Sequence, residues 1–355
     1  MTDFESFVGA LRRRAAQEPA HSAVRFAGPT EEDLSYGELD RLARSAAQWL
    51  GRRTAPGERV LVCCGPGTGF VRAFLACLYA GAVPVPVPLP GGFGRQESRT
   101  AAIAADTGAR LLLTDEAGLP SVTRWPAADP AELPSLAVAS LETAERAGDA
   151  TLWSERPVEP RTLCFLQYTS GSTSDPKGVM VQHGALLHNL RLMRDSHGWH
   201  GGMTWCSWLP AHHDMGLIAM MLAPLHLGGT AVLMSPTDFL KHPLSWLRLI
   251  ERHGAEISCA PNFAYDLCAR HLTEEQTAGL DLSRWTYACN GAEPVDAATL
   301  TRFAERFAGA GFSARSLLPG YGLAEATLYV SGTPADEPPT VLRADAAALA
   351  RDEVA

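Results

Sequence analysis

Short apolar runs alternate with longer stretches of helical periodicity along most of this chain. Arg59-Val60-Leu61-Val62-Cys63-Cys64 reads as a strand, Gly65 to Gly69 as a turn, and Phe70 to Ala80 as a helix rich in Phe, Leu and Ala. The same rhythm predicts strands at 110–114, 204–209, 230–234, 256–260, 285–290 and 314–318. Helices are predicted at 97–107, 215–226, 242–253, 263–271 and 296–308. Strands separated by helices at this spacing require parallel pairing with right-handed crossovers, so the fold class is α/β. Ahead of them, residues 3–16 form a short amphipathic helix. Ser35-Tyr36-Gly37-Glu38 carries a capping-box pattern in front of an apolar face made by Leu39, Leu42, Ala43, Ala46, Trp49 and Leu50.

Two stretches break the rhythm. Val83-Pro84-Val85-Pro86-Val87-Pro88 cannot sit in a central ladder, because proline has no N–H to donate; it must be an edge strand or an extended crossing segment. Residues 115–160 are polar and rich in Pro and Ala, with at most a weak strand at Leu136 to Ala139. This is the least structured part of the pattern and the expected boundary between two sublobes, roughly 1–160 and 161–335. Leu163-Cys164-Phe165-Leu166 reads as a buried parallel strand, and Val179, Met180 and Val181 lead into a helix from about Gly184.

With 355 residues, 46% of them hydrophobic and 19% charged, the chain is expected to be globular with a large core and more than one lobe. A formal charge of −9 argues against a nucleic-acid partner, which would want a clustered basic surface. The eight cysteines show no Cys-x-x-Cys pair and mostly lie in apolar runs, where a thiol behaves as a small hydrophobe. The first residues have no basic segment followed by an apolar one. No apolar stretch approaches the ~20 residues of a membrane helix, and the expected location is cytoplasmic.

The polar clusters carry the chemistry. Gln167-Tyr168-Thr169-Ser170-Gly171-Ser172-Thr173-Ser174-Asp175-Pro176-Lys177-Gly178 puts five Ser and Thr hydroxyls, backbone-exposing glycines and one lysine within a dozen residues, a composition suited to a polyphosphate. It is not a Walker loop, because Pro176 precedes Lys177 and Gly178 follows it. Three further clusters each follow an apolar strand, at the strand ends where open parallel sheets collect ligands. They are Pro210-Ala211-His212-His213-Asp214-Met215-Gly216-Leu217, Asn290-Gly291-Ala292-Glu293-Pro294, and Gly320-Tyr321-Gly322-Leu323-Ala324-Glu325-Ala326-Thr327. The His-His-Asp run is a poor zinc site: adjacent histidines point in different directions, and no third His or Cys stands at ligand spacing.

Taken together and in this order, the four clusters resemble the phosphate loop, acyl-site, adenine-site and Tyr-Gly-x-x-Glu motifs of the adenylate-forming superfamily. Within it they are most similar to fatty acyl-AMP ligases, as is Phe-Leu-Ala-Cys-Leu-Tyr-Ala-Gly-Ala-Val-Pro-Val-Pro at 74–86. Ser174 stands where the family commonly has glycine, and Ala324 where acyl-CoA synthetases usually carry threonine. The resemblance implies the large domain of the adenylate-forming fold, with two parallel-sheet sublobes and flanking helices. It also implies that a fatty carboxylate attacks ATP to give acyl-AMP and pyrophosphate. By resemblance Thr169, Ser170, Gly171, Ser172, Thr173 and Lys177 hold the β- and γ-phosphates, and Glu325 holds Mg²⁺. Tyr321, with Gly322, packs on adenine, whose edge is lined by Asn290, Gly291, Ala292 and Glu293. His213, with Asp214, Met215 and Gly216, stands where the carboxylate meets AMP. The helix 215–222 and Pro261-Asn262-Phe263 wall the acyl tunnel.

The superfamily's ribose-binding aspartate, hinge and small C-terminal domain come well over a hundred residues after the position of Glu325. Residues 1–355 therefore resemble a truncated large domain, weakly active as it stands. Residues 333–355 resemble the start of the insertion that separates fatty acyl-AMP ligases from acyl-CoA synthetases, anchored by Val341, Leu342 and Leu349. That insertion implies an acyl carrier protein as acceptor. A fatty acyl-CoA synthetase, an amino-acid adenylation domain and a non-catalytic binding module remain open at this point.

Overall fold

The structure is a computed structural model describing residues 4–90, 94–125, 136–169, 177–335 and 337–353. Its strands in chain order begin with β1 (Ser22–Ala27), β2 (Glu32–Ser35), β3 (Arg59–Val62), β4 (Val83–Pro86), β5 (Leu111–Thr114), β6 (Ala137–Ser140) and β7 (Leu163–Tyr168). They continue with β8 (Gly178–Gln182), β9 (Thr204–Ser207), β10 (Thr230–Met234), β11 (Ile257–Ala260), β12 (Tyr287–Asn290), β13 (Leu317–Gly322) and β14 (Tyr329–Gly332). The expected α/β class holds. An eight-stranded sheet runs β14-β13-β12-β11-β9-β10-β1-β2, and a four-stranded one runs β4-β3-β5-β6. Within these two sheets the described pairings are parallel except at the two edges of the larger one, where β2 and β14 run antiparallel.

The proline-rich segment is an edge strand, as its sequence requires. Val83 and Val87 donate their N–H groups to Glu58 and Val62 at 2.8 and 3.0 Å, so alternation turns the donor-less prolines to the open side. The capping box also forms: the Ser35 hydroxyl accepts from Glu38 N–H, and the Glu38 carboxylate accepts from Ser35 N–H at 3.0 Å.

Other expectations need correction. The run at 163–166 is buried, but β7 pairs antiparallel with β8, and the polar loop is the connection of this hairpin. The described parts of stretch 115–160 carry more regular structure than their composition suggests: β6 completes the four-stranded sheet, and helix Leu141–Ala147 packs on helix Tyr36–Leu50, while residues 126–135 lie outside the described residues. The division near residue 160 does not follow the sheets, since β1 and β2 belong with the strands after residue 200. The helix expected at 242–253 forms as Leu244–His253, and a short helix not expected, Pro236–Lys241, precedes it with Pro243 between the two. Val341, Leu342 and Leu349, expected as anchors, are exposed among the described residues, Leu342 by 80%. Among the described residues, no helix is long and apolar enough to cross a membrane.

The helix expected at 215–226 is π-helical over Met215–Leu222 and α-helical over Ala223–Leu227. Ala223 N–H reaches back five residues to the Ile218 carbonyl, just before Pro224, which has no N–H to offer. Gly216 sits tightly at its start, where an added Cβ would lie 2.4 Å from the Pro210 carbonyl oxygen.

β9 is the switch point of the larger sheet. The chain leaves it for β10 on one side and later returns to β11 on the other, which opens a crevice at the carboxyl ends of these strands.

Candidate active site

A cavity of about 470 Å³ occupies that crevice. Its walls come from elements far apart in sequence. The segment after β9 supplies His212, His213, Asp214, Met215 and Ala219; the end of β12 supplies Asn290, Gly291 and Ala292; and β13 with its following turn supplies Tyr321, Gly322 and Glu325. Thr169 reaches it from the end of β7.

The polar groups are held by specific local bonds. Asp214 accepts from Met215 N–H at 2.7 Å, capping the π-helix, and its Oδ1 lies 2.9 Å from His213 Nδ1. Both contacts use the same carboxylate oxygen, Met215 N–H also lies 3.3 Å from His213 Nδ1, and His213 Nε2 has no partner among the described residues. Burial above all, with added repulsion from His213 and Arg99, lowers the His212 pKa to about 4, although part of its ring is open to the cavity. Both neighbours thus meet the cavity with His212 neutral. Gln167, buried in β7, donates to the His212 carbonyl at 2.8 Å, and its Oε1 has no partner among the described residues.

The rim is built by close backbone approach. A Cβ on Gly291 would lie 2.9 Å from the Gly320 oxygen, and one on Gly322 would lie 2.1 Å from the Leu328 oxygen. Ala292 takes the left-handed region at φ 67 and Thr327 at φ 76, conformations that cost a non-glycine residue of order 1–3 kcal/mol and gather at functional sites. Asn290 is almost fully buried, and its Oδ1 has no hydrogen-bond partner among the described residues. Tyr321 is 61% exposed, so its ring is free to be covered by a flat ligand.

Several expected residues lie elsewhere. Glu293 is exposed outside the lining and accepts from Phe263 N–H at 2.6 Å, near the start of helix Asn262–His271. Phe263 is also outside it; its ring meets Trp208 at 5.8 Å and Phe239 at 6.4 Å. From the helix 215–222 only Met215 and Ala219 reach the cavity, while Gly216 packs against Pro210. Lys177 is exposed at the start of β8 and does not line it. Ser170, Gly171, Ser172 and Thr173 lie outside the described residues.

Other lining residues went unforeseen. Arg99 donates to the Thr169 carbonyl at 2.6 Å, fastening helix Gly94–Thr107 to the head of the polar loop. Met193 and His197, one turn apart on helix His183–His197, join Trp199, Leu328 and Tyr329 in an apolar, aromatic wall. Asn189 on the same helix holds that wall by bonding both backbone groups of Tyr329, at 2.9 and 3.0 Å. A glutamine inside the apolar run of β7 was the one available signal, since a buried polar side chain asks for a reason.

One carboxylate, Glu325, stands at the rim, and among the described residues there is no group of three His, Cys, Asp or Glu to hold a metal. That donor set fits Mg²⁺, which takes one or two carboxylates and otherwise relies on water and substrate phosphates.

Comparison with known proteins agrees with this geometry. The medium-chain fatty-acid ligase of acyl carrier protein JamA, from Moorena producens, is 37% identical over 99% of this chain, which spans 60% of JamA. The 4-hydroxyphenylalkanoate adenylyltransferase of Mycobacterium tuberculosis is 38% identical over 92% of the chain, which spans 54% of it. The crystal structure of the fatty acyl-adenylate ligase from Legionella pneumophila, in complex with acyl adenylate and pyrophosphate, superposes with a TM-score of 0.87. It shares 38% identity and covers 95% of this chain, which covers 58% of that one. The profile of the AMP-binding enzymes matches residues 11–347, from the first helix through the rim of the cavity, and the chain belongs to that family.

Proposed function

We propose that this chain is the acid- and nucleotide-binding part of a ligase that joins a medium- or long-chain fatty acid to AMP, releasing pyrophosphate. The activated acyl group then passes to an acyl carrier protein. The observation that carries this reading is a single cavity with two chemistries. Met193, Trp199, Met215, Ala219 and Leu328 offer an apolar wall, while Thr169, Asn290, Tyr321 and Glu325 offer polar groups. The activities named for JamA and the Legionella enzyme support the substrate class and, for JamA, the acceptor. Eight unpaired cysteines suit a cytoplasmic setting.

In the reaction, a carboxylate oxygen bonds to the α-phosphorus of ATP as the bond to the pyrophosphate oxygen breaks. A carboxylate is already a nucleophile at neutral pH, so alignment and charge neutralisation are what the protein supplies. His213, steadied by Asp214, meets the carboxylate through Nε2. Tyr321 covers adenine, and Asn290 Oδ1 accepts from its amino group, which gives that buried oxygen the partner it lacks among the described residues. Thr169 with Ser170, Gly171, Ser172, Thr173 and Lys177 holds the β- and γ-phosphates. Glu325 would hold Mg²⁺, whose charge offsets that of the phosphates. Gly291, Ala292 and Gly322 shape the nucleotide side by close backbone approach, Met215 and Gly216 the acid side. Glu293 and Phe263 act as supports behind the wall.

Calorimetry with dodecanoyl sulfamoyl adenosine, a stable acyl-adenylate analogue, tests the reading. Tight binding is expected, and preference for an aminoacyl analogue would overturn it. Lys177→Ala should weaken ATP binding by about 1.5–3 kcal/mol, the range for a charge-assisted hydrogen bond, with folding intact by circular dichroism. An unchanged ATP affinity would remove Lys177 from the phosphate site.

A further inference from the structure

Two cysteines stand side by side in the cavity wall. Cys259 on β11 and Cys289 on β12 are register partners of a parallel strand pair, and both line the cavity. Of the eight cysteines, only these two do. Neighbouring strands lie about 4.8 Å apart, inside the ~4.4–6.8 Å separation of α-carbons that a disulfide spans. The two differ in access: Cys259 is 3% exposed, whereas Cys289 is half-buried and open to the cavity. The neighbouring Cys289 thiol first, and burial second, hold the Cys259 thiol well above the usual pKa and therefore protonated. No step of acid activation uses either sulfur.

We propose that Cys259 and Cys289 form an oxidisable dithiol, a modification site in the cavity wall whose reagent class is a peroxide and whose product is a disulfide. The Cys289 sulfur, the one the cavity reaches, attacks a peroxide oxygen. The O–O bond breaks, one water leaves, and Cys289 becomes a sulfenic acid. The Cys259 sulfur then attacks the sulfenic sulfur, and hydroxide departs with the Cys259 proton as a second water. Two thiols are oxidised by two electrons in total, and one hydrogen peroxide is reduced to two waters. Because Cys289 directly precedes Asn290-Gly291-Ala292, the new bond ties the nucleotide side of the cavity to β11.

The dithiol stands on the strand register and the cavity alone; its shielding by ligand rests on the function proposed above. The test treats the full chain with hydrogen peroxide under native conditions, alkylates the remaining thiols and maps the peptides by mass spectrometry. A peptide linking Cys259 to Cys289, two hydrogens lighter than the separate thiols and reversed by dithiothreitol, is expected at least tenfold faster than oxidation of the other six cysteines. Cys259→Ser should form no link and leave Cys289 as a sulfenic acid that dimedone traps; Cys289→Ser should leave Cys259 reduced. Recovery of both as alkylated thiols, a disulfide elsewhere with this pair untouched, or Cys289 over-oxidised without a link overturns the dithiol. Saturating dodecanoyl sulfamoyl adenosine should slow the linkage at least tenfold. An unchanged rate, with the link still forming, overturns the shielding and counts against the functional reading while the dithiol stands.

Discussion

Across straight-chain acids from butyrate to octanoate, kcat/KM for acyl-adenylate formation should rise about fourfold with each added methylene, or roughly 200-fold over the series. Burying a methylene is worth about 0.8 kcal/mol, and kcat/KM reports binding energy realised in the transition state. The wall that would take the chain is Met193, Trp199, Met215, Ala219 and Leu328, and it presents no charged side chain to an alkyl group. The gain should stop abruptly at the length that fills the cavity, because further methylenes must then stay in water or force the packed wall apart. Pyrophosphate release, measured for each acid at several concentrations, decides the matter. A flat series would move the acid's binding energy out of this cavity.

Unfolding should become much easier as pH falls from 6.5 toward 4. His183 and His197, at the two ends of one helix, are buried, and burial lowers the pKa of each to about 4. In the unfolded chain a histidine titrates near 6.5. Between those values the unfolded state binds protons that the folded state refuses, so stability is fully present above about 6.5 and is lost as pH falls. At pH 5 each residue should cost about 2 kcal/mol relative to neutral pH, and the pair about twice that. Urea unfolding at pH 7.5, 6 and 5 gives the slope. Replacing both with glutamine should flatten it, whatever the other titrating groups contribute, since those are common to both proteins. Equal slopes in the two proteins would mean that the rings reach protons in the folded state.

Much of this protein is written locally. The capping box at Ser35 and Glu38 needs only residues three apart, and the strand and helix rhythm needs only periodicity and breakers. The alternate prolines of β4 declare an edge because each removes one donor on one side. The polar clusters at strand ends were legible for a related reason. A parallel α/β chain leaves its carboxyl-end loops free of packing duty, so residues there are spared for ligands.

What the local pattern could not carry is partner choice. The apolar run of β7 is equally suited to a parallel or an antiparallel neighbour, and β8 became that neighbour because the chain turned back on itself. β1 and β2 crossed to the far sheet, where β1 found β10 some two hundred residues later. Arg99, Met193, His197 and Trp199 look like surface or core positions along the sequence; they became cavity wall only when their helices met the switch point at β9. Cys259 and Cys289, thirty residues apart, became neighbours through strand register alone. The sequence by itself determined the elements, because torsional preference and side-chain period act over a few residues. The tertiary structure decided which elements touch, because burial rewards any apolar neighbour and only the packed whole selects one.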